Sequence, residues 1–92
     1  MKTFLSHKEL GMQIVIAEEN GTHMPPVITL FRSRAKAEAY VVSEVMGTRL
    51  DRRARKISTD EVLSALKEYN AIFVDAHNGS RCTWWIQDAK VH

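Results

Sequence analysis

Two pairs of strand-like segments flank a central stretch with helical spacing, and this order restricts the folds open to the chain. The strand-like segments are residues 12–17, 27–31, 71–76 and 82–87. They are rich in β-branched and aromatic residues, which favour strands. An Asn-Gly pair follows the first member of each pair of segments, at residues 20–21 and 78–79. Asn-Gly is a strong turn signal, so the sequence predicts two β-hairpins.

The central stretch contains two helical segments, each with its own start signal. Ser33 is the expected N-cap of a helix over about residues 34–46, which Gly47 would end. Ser58 and Glu61 have capping-box spacing ahead of a second helix over about residues 59–69, with Asn70 as its terminator. The predicted apolar faces are Ala35, Ala39, Val42, Val45 and Met46 in the first helix, and Val62, Leu63, Leu66 and Tyr69 in the second.

The order of these segments, ββααββ, predicts one α+β domain over residues 1–92. Two hairpins flanking a helix pair are most simply accommodated by a mostly antiparallel sheet with both helices on one face. A content of 45% hydrophobic and 26% charged residues is ordinary for a globular domain of this length. The pattern leaves the strand order open. Residues 6–9, with Gly11 after them, could add an N-terminal half-turn.

Adjacent tryptophans, Trp84 and Trp85, indicate a sheet with apolar residues on both faces, because neighbouring strand side chains point to opposite sides. Period-two grouping predicts a helix-covered face of Ile14, Ile28, Leu30, Ile72, Val74, Trp84 and Ile86. The other face would hold Val15, Thr29, Phe73, Thr83 and Trp85. Trp85 is therefore a candidate contact for a partner or for a second copy of the chain. The alternative is that a loop or the N-terminal segment covers this face.

Positive charge is concentrated in the middle of the chain. Eight Lys/Arg residues lie there: Arg32, Arg34, Lys36, Arg49, Arg52, Arg53, Arg55 and Lys56. Three acidic residues in the same stretch leave a local charge of +5, whereas the whole chain carries +2. Arginine binds phosphate or carboxylate through its planar fork, so this basic segment predicts an anionic partner. The alternative is a solvated linker between the helices.

The residues that could carry chemistry form no recognised catalytic or metal-binding motif. The histidines, His7, His23, His77 and His92, lack zinc-site spacing, and the four glycines lie apart rather than in a phosphate-binding loop. Asp75, His77 and Cys82 could meet around the second hairpin, although a turn histidine and a small half-buried thiol explain them more simply. We therefore expect a binding protein without a cofactor, a metal or a small-molecule substrate, rather than an enzyme.

The sequence also bears on the compartment. Cys82 is the single cysteine, so no internal disulfide is available. The N-terminal residues do not resemble a signal peptide, and no stretch approaches 18 apolar residues. We expect an intracellular protein that does not enter a membrane.

A short α+β chain of this order, with polarised charge and no catalytic motif, resembles the phage-encoded anti-CRISPR proteins that inhibit type I, Cascade-like surveillance complexes. The resemblance covers the architecture of the whole chain. It implies an inhibitor that docks on a guide-RNA ribonucleoprotein in the cytoplasm of a bacterial host and obstructs target DNA. Its partners would be subunits of the surveillance complex and the guide RNA. The contacts to RNA phosphate or acidic protein would come from Arg49, Arg52, Arg53, Arg55 and Lys56.

The alternative function is a small DNA- or RNA-binding regulator that acts as a monomer or a dimer. A regulator should bind free nucleic acid directly, with an affinity that falls steeply as salt rises. An inhibitor of a ribonucleoprotein should instead bind free nucleic acid poorly.

Overall fold

The first and last strands pair at the centre of an antiparallel sheet, and two helices pack on one face of it. A computed structural model describes residues 12–89. The elements are β1 (Met12–Asn20), β2 (Val27–Phe31), α1 (Arg34–Gly47), α2 (Thr59–Tyr69), β3 (Ala71–Asp75) and β4 (Arg81–Ala89). The predicted α+β class and ββααββ order are confirmed. The half-turn predicted at residues 6–9 lies outside the described residues.

The sheet order is β2-β1-β4-β3, which the sequence left open. β1 and β4 pair along nine residues each, from Met12 opposite Ala89 to Asn20 opposite Arg81. Both strands are longer than the apolar runs that predicted them. Ladder hydrogen bonds come from the backbone, so the polar residues at the strand ends extend the pairing without any apolar signal.

The helix termini follow the predicted capping chemistry. The Ser33 hydroxyl accepts a hydrogen bond from the Lys36 amide at 3.2 Å. Ser58 and Glu61 form the reciprocal capping box: the Ser58 amide donates to the Glu61 carboxylate at 2.9 Å, and the Glu61 amide donates to the Ser58 hydroxyl at 3.2 Å. Asn70 ends α2 in the left-handed region, at φ 58°. These local interactions fix where each helix begins and where α2 ends.

The core lies between the helices and one face of the sheet. Its buried members are Val15, Ala37, Val41, Val45, Val62, Leu66, Val74, Trp84 and Ile86. In α2 the predicted face is correct at Val62 and Leu66, whereas Leu63 and Tyr69 are exposed.

The predicted face of α1 is only partly correct: Val45 is buried and Val42 is half-buried against the core, whereas Ala35, Ala39 and Met46 are exposed. The buried row is Ala37, Val41 and Val45, while Met46 is 51% exposed. Small and apolar side chains occur almost all round this helix, so spacing alone does not select a face. The fully buried Ala37 has no bulk beyond its methyl group, which suits a position where the helix lies close to its neighbours.

The predicted sheet faces are correct for β3 and β4 but inverted for β1 and β2. Val15 is 1% exposed in the core, whereas Ile28 and Leu30 are 64% and 57% exposed on the opposite face. The cause is the β1–β4 register, in which Val15 lies opposite Ile86 and Ala17 lies opposite Trp84. The odd-numbered residues of β1 therefore share the core face, and Ile14 lies on the other side with Ile28 and Leu30.

The two tryptophans differ in burial as the sequence predicted, since Trp84 is 4% exposed and Trp85 is 36% exposed. We expect Trp84→Ala to lower the free energy of unfolding by about 3–5 kcal/mol, because it empties a large core volume. Trp85→Ala should cost less than half as much, since its side chain is partly solvated already. Urea denaturation of both variants measures the difference. Equal losses would contradict this assignment of the two faces.

Candidate functional site

The segment between the helices, residues 49–56, carries five of the eight predicted site cations and is called the basic loop here. It starts beyond the end of α1 at Gly47 and ends before the N-cap of α2 at Ser58. Leu50, near its start, and Ile57, the residue that follows its end, are half-buried against the core. The basic loop is therefore fastened by an apolar side chain at each end.

Backbone hydrogen bonds attach the start of the basic loop to the β3–β4 hairpin. Leu50 forms an isolated antiparallel bridge with Ala76. The amide of His77 donates to the carbonyl of Arg49 at 2.9 Å, and the amide of Asp51 donates to the carbonyl of Asp75 at 3.0 Å. A two-sided attachment of this kind fixes the direction of the chain as it leaves α1. It also occupies backbone groups at the end of the edge strand β3.

The hairpin that receives the loop is built by the predicted Asn78-Gly79 turn. Gly79 has φ +87°, a left-handed conformation that glycine adopts without strain. The Ser80 amide donates to the Asn78 side chain at 3.0 Å, and the Ala76 amide donates to the Ser80 carbonyl at 2.8 Å. Local turn chemistry therefore sets the position to which the basic loop is attached.

Asp51 organises the middle of the basic loop. Its carboxylate accepts the amide of Arg53 at 2.8 Å, and its carbonyl accepts the amide of Ala54 at 2.9 Å. This turn leaves Arg52 and Arg53 exposed, with the Arg53 side chain 93% accessible. The Arg53 guanidinium lies 3.6 Å from the Asp51 carboxylate, an exposed pair that contributes little. Arg52 and Arg53 are therefore available to an external anion.

Arg55 is engaged within the protein. Its guanidinium donates to the Glu61 carboxylate at 2.7 Å. The Ser58 amide and Arg55 together hold the pKa of Glu61 below its usual range. This pair joins the end of the basic loop to the capping box of α2. Arg55 thus has a structural role that its place in the charge cluster did not indicate.

Arg34 also has a structural role. Its guanidinium donates to the Glu38 carboxylate at 2.9 Å and to the Leu66 carbonyl at 2.9 Å. The second bond places a cation at the C-terminal end of α2, where the helix dipole favours positive charge. Arg34 therefore ties the beginning of α1 to the end of α2.

The eight predicted cations form two groups rather than one surface. Arg32, Arg34 and Lys36 lie at the start of α1, and the basic loop follows its other end. The 14 residues of α1 separate the groups by about 20 Å. Among residues 12–89, no carboxylate lies within 4.0 Å of five of these cations. These are Arg32, Lys36, Arg49, Arg52 and Lys56.

The basic loop borders a cleft of about 480 Å³. Its lining residues are Arg49, Leu50, Asp51, Arg52, Arg53 and His77. His77 and Asp51 were not among the residues predicted for this site. The sequence offers a local indication for Asp51, because an aspartate side chain often accepts a hydrogen bond from the amide two residues later and so forms an Asx turn. No local pattern in the sequence indicates His77, because its contact with Arg49 joins residues 28 positions apart.

Trp85 lies away from the basic loop, on the face of the sheet opposite the helices. Its cross-strand neighbours are Ile16 and Ala71. The predicted binding residues therefore occupy three separate places: the start of α1, the basic loop and the open sheet face. A single partner contact of ordinary size need not include all three.

The geometry does not bring Asp75, His77 and Cys82 together as a nucleophile and its base. Asp75 forms an ion pair with Arg81 at 3.0 Å on the face opposite to Cys82. The His77 ring nitrogen Nδ1 lies 3.3 Å from the Arg49 carbonyl. Burial, with the nearby Glu19 charge as a second cause, raises the pKa of the Cys82 thiol. A raised pKa disfavours the thiolate that nucleophilic chemistry requires.

Residues 12–89 contain no cluster of three or more His, Cys, Asp or Glu side chains placed to hold a metal ion. No helix in the same part of the chain is long and apolar enough to cross a membrane. Comparison with known protein families, characterised proteins and solved structures gives no match to this chain.

The contacts of Arg34 generate a stability prediction. We expect Arg34→Gln to lower the free energy of unfolding by about 1–2 kcal/mol, because the Leu66 carbonyl loses a charged donor. Lys36→Gln, two residues along the same helix, should change it by no more than about 0.5 kcal/mol. Chemical denaturation of the two variants provides the comparison. Equal effects would show that the Arg34 bonds add nothing to stability.

Proposed function

We propose that this chain is a non-catalytic binding protein that docks on an anionic partner through the basic loop. The proposal rests on one combination of features: the backbone of the basic loop is held in place, and several of its cations have no carboxylate partner among the described residues. The loop is attached to the β3–β4 hairpin by backbone bonds, while Arg49, Arg52 and Lys56 have no carboxylate within 4.0 Å among the described residues.

Fixing the loop in advance favours binding for an entropic reason. Each residue that must be ordered on binding costs about 1–2 kcal/mol of backbone entropy. A loop whose turn is already formed by Asp51, and whose start is already bonded to Asp75 and His77, avoids part of that cost. The exposed guanidinium groups of Arg52 and Arg53 can then meet phosphate or carboxylate oxygens in a bidentate manner.

The more specific proposal is that the chain is a phage anti-CRISPR inhibitor of a type I surveillance complex. What supports it is the resemblance in size, ββααββ order and polarised charge. In this proposal the basic loop contacts guide-RNA phosphates or an acidic subunit surface and obstructs target DNA. The protein would act in the cytoplasm of the bacterial host.

A pair of charge-reversal variants tests the role of the basic loop. Arg52→Glu with Arg53→Glu changes the net charge from +2 to −2. Arg32→Glu with Lys36→Glu makes the same charge change at the other end of α1 and serves as the matched control. Arg55 is left intact because it supports the start of α2 through Glu61. Thermal denaturation checks that both variants fold.

The binding partner in this test is a purified type I surveillance complex loaded with guide RNA. We expect the wild-type chain to bind it and to reduce binding of target duplex in a mobility-shift assay. The loop variant should lose at least about 30-fold in affinity, since two losses of about 1 kcal/mol each multiply to that factor. The control should lose much less, because charges about 20 Å away are screened at ordinary salt.

Two outcomes would contradict the proposal in different ways. If the chain ignores the complex but binds labelled free RNA or duplex DNA, with affinity falling steeply as salt rises, it is a nucleic-acid regulator instead. If both double variants bind any partner as tightly as the wild type, the basic loop is only a solvated linker.

A further inference from the structure

The face of the sheet opposite the helices is called the open face here, and its centre is apolar. The register places Ile28, Ile16, Trp85 and Ala71 in one row across all four strands. Leu30 and Ile14 lie side by side in the next row of the open face, towards the start of β1. Phe73 lies in the row on the opposite side, towards the β3–β4 hairpin. Ile28, Leu30 and Phe73 are 64%, 57% and 54% exposed. This feature goes beyond the proposed function, which does not use the open face.

The area of the open face falls in the range of small, weak interfaces, below that of a standard one. Strands of five to nine residues, about 4.8 Å apart and rising about 3.3 Å per residue, cover roughly 300–570 Å² in plan. Protruding side chains make the accessible area larger than the plan area. The largest apolar patch of a typical monomer is about 300–600 Å², and a standard interface buries about 800 Å² per partner. The open face therefore suits a contact of modest affinity.

The distribution of charge suits a contact between identical surfaces. Within the described strands, the charged residues on this face are Glu18, Asp75 and Arg81, all towards the hairpin end. Asp75 and Arg81 already pair with each other, and the Arg81 guanidinium lies 4.4 Å from the centre of the Phe73 ring. At the centre of a two-fold interface each side chain meets its own counterpart, so charge there would repel. The centre, Ile16 and Trp85, is uncharged.

We propose that two copies of this chain associate through their open faces. Sheets that pack face to face lie about 10 Å apart with their strands roughly aligned, and their side chains interdigitate. In that arrangement Trp85 and the exposed aliphatic side chains of both copies leave water together. The helices and the basic loop stay on the outside, so each dimer carries two basic loops.

Sedimentation equilibrium of the full chain over a wide concentration range tests the proposal. We expect reversible association to twice the 10.5 kDa monomer mass, with a dissociation constant of about 10–100 µM for an interface of this size. Ile28→Glu and Leu30→Glu should each raise that constant at least about ten-fold, because they place a carboxylate in the apolar contact. Met46→Glu, at an exposed position on α1, is the matched control and should leave it nearly unchanged.

Three results would overturn the proposal. A chain that stays monomeric throughout, with Trp85 exposed to iodide quenching, has no contact on this face. A monomer in which Trp85 is protected at every concentration has the face covered by its own residues 1–11. A dimer that survives both Ile28→Glu and Leu30→Glu uses another surface, such as the backbone edge of β2. Circular dichroism spectra matching the wild type would exclude misfolding as the reason for lost association.

Discussion

The pairing of β1 with β4 determines most of this structure. It joins the two ends of the described chain along nine residues each and makes β2 and β3 the edge strands. Its register also decides which side chains meet: Val15 lies opposite Ile86 on the core side, and Ile16 lies opposite Trp85 on the open side. A slip of one residue would exchange the two faces, so the core and the open face depend on one set of backbone bonds.

The position of the basic loop follows from the same sheet order. The chain enters α1 from the edge strand β2 and leaves α2 into the edge strand β3. The connection between the helices therefore lies near the end of β3, where Asp51 and Arg49 bond to the hairpin backbone. The predicted site cations differ in role. Arg34 and Arg55 stabilise helix ends, whereas Arg52 and Arg53 remain exposed.

What the sequence predicted correctly depended on local chemistry. The caps at Ser33 and Ser58, the Asn78-Gly79 turn and the unequal tryptophans each follow from residues a few positions apart. In the sheet, the sequence failed where the answer depended on long-range register. The faces of β1 and β2 were inverted because both strands carry apolar residues on either side: Val15 alternates with Ile14 and Ile16 in β1, and Val27 and Phe31 alternate with Ile28 and Leu30 in β2. The Leu66 contact of Arg34 and the Arg49 contact of His77 join residues far apart in sequence, so no local pattern could indicate them.

The proposed function requires a basic loop that is fixed before any partner binds. Hydrogen exchange at the amides of Asp51 and His77 tests this directly, because those two amides form the bonds between the loop and the hairpin. We expect both amides to exchange at least about 100-fold more slowly than in an unstructured peptide, like the amides paired between β3 and β4. Exchange of both amides at peptide rates, with β3–β4 still protected, would contradict it.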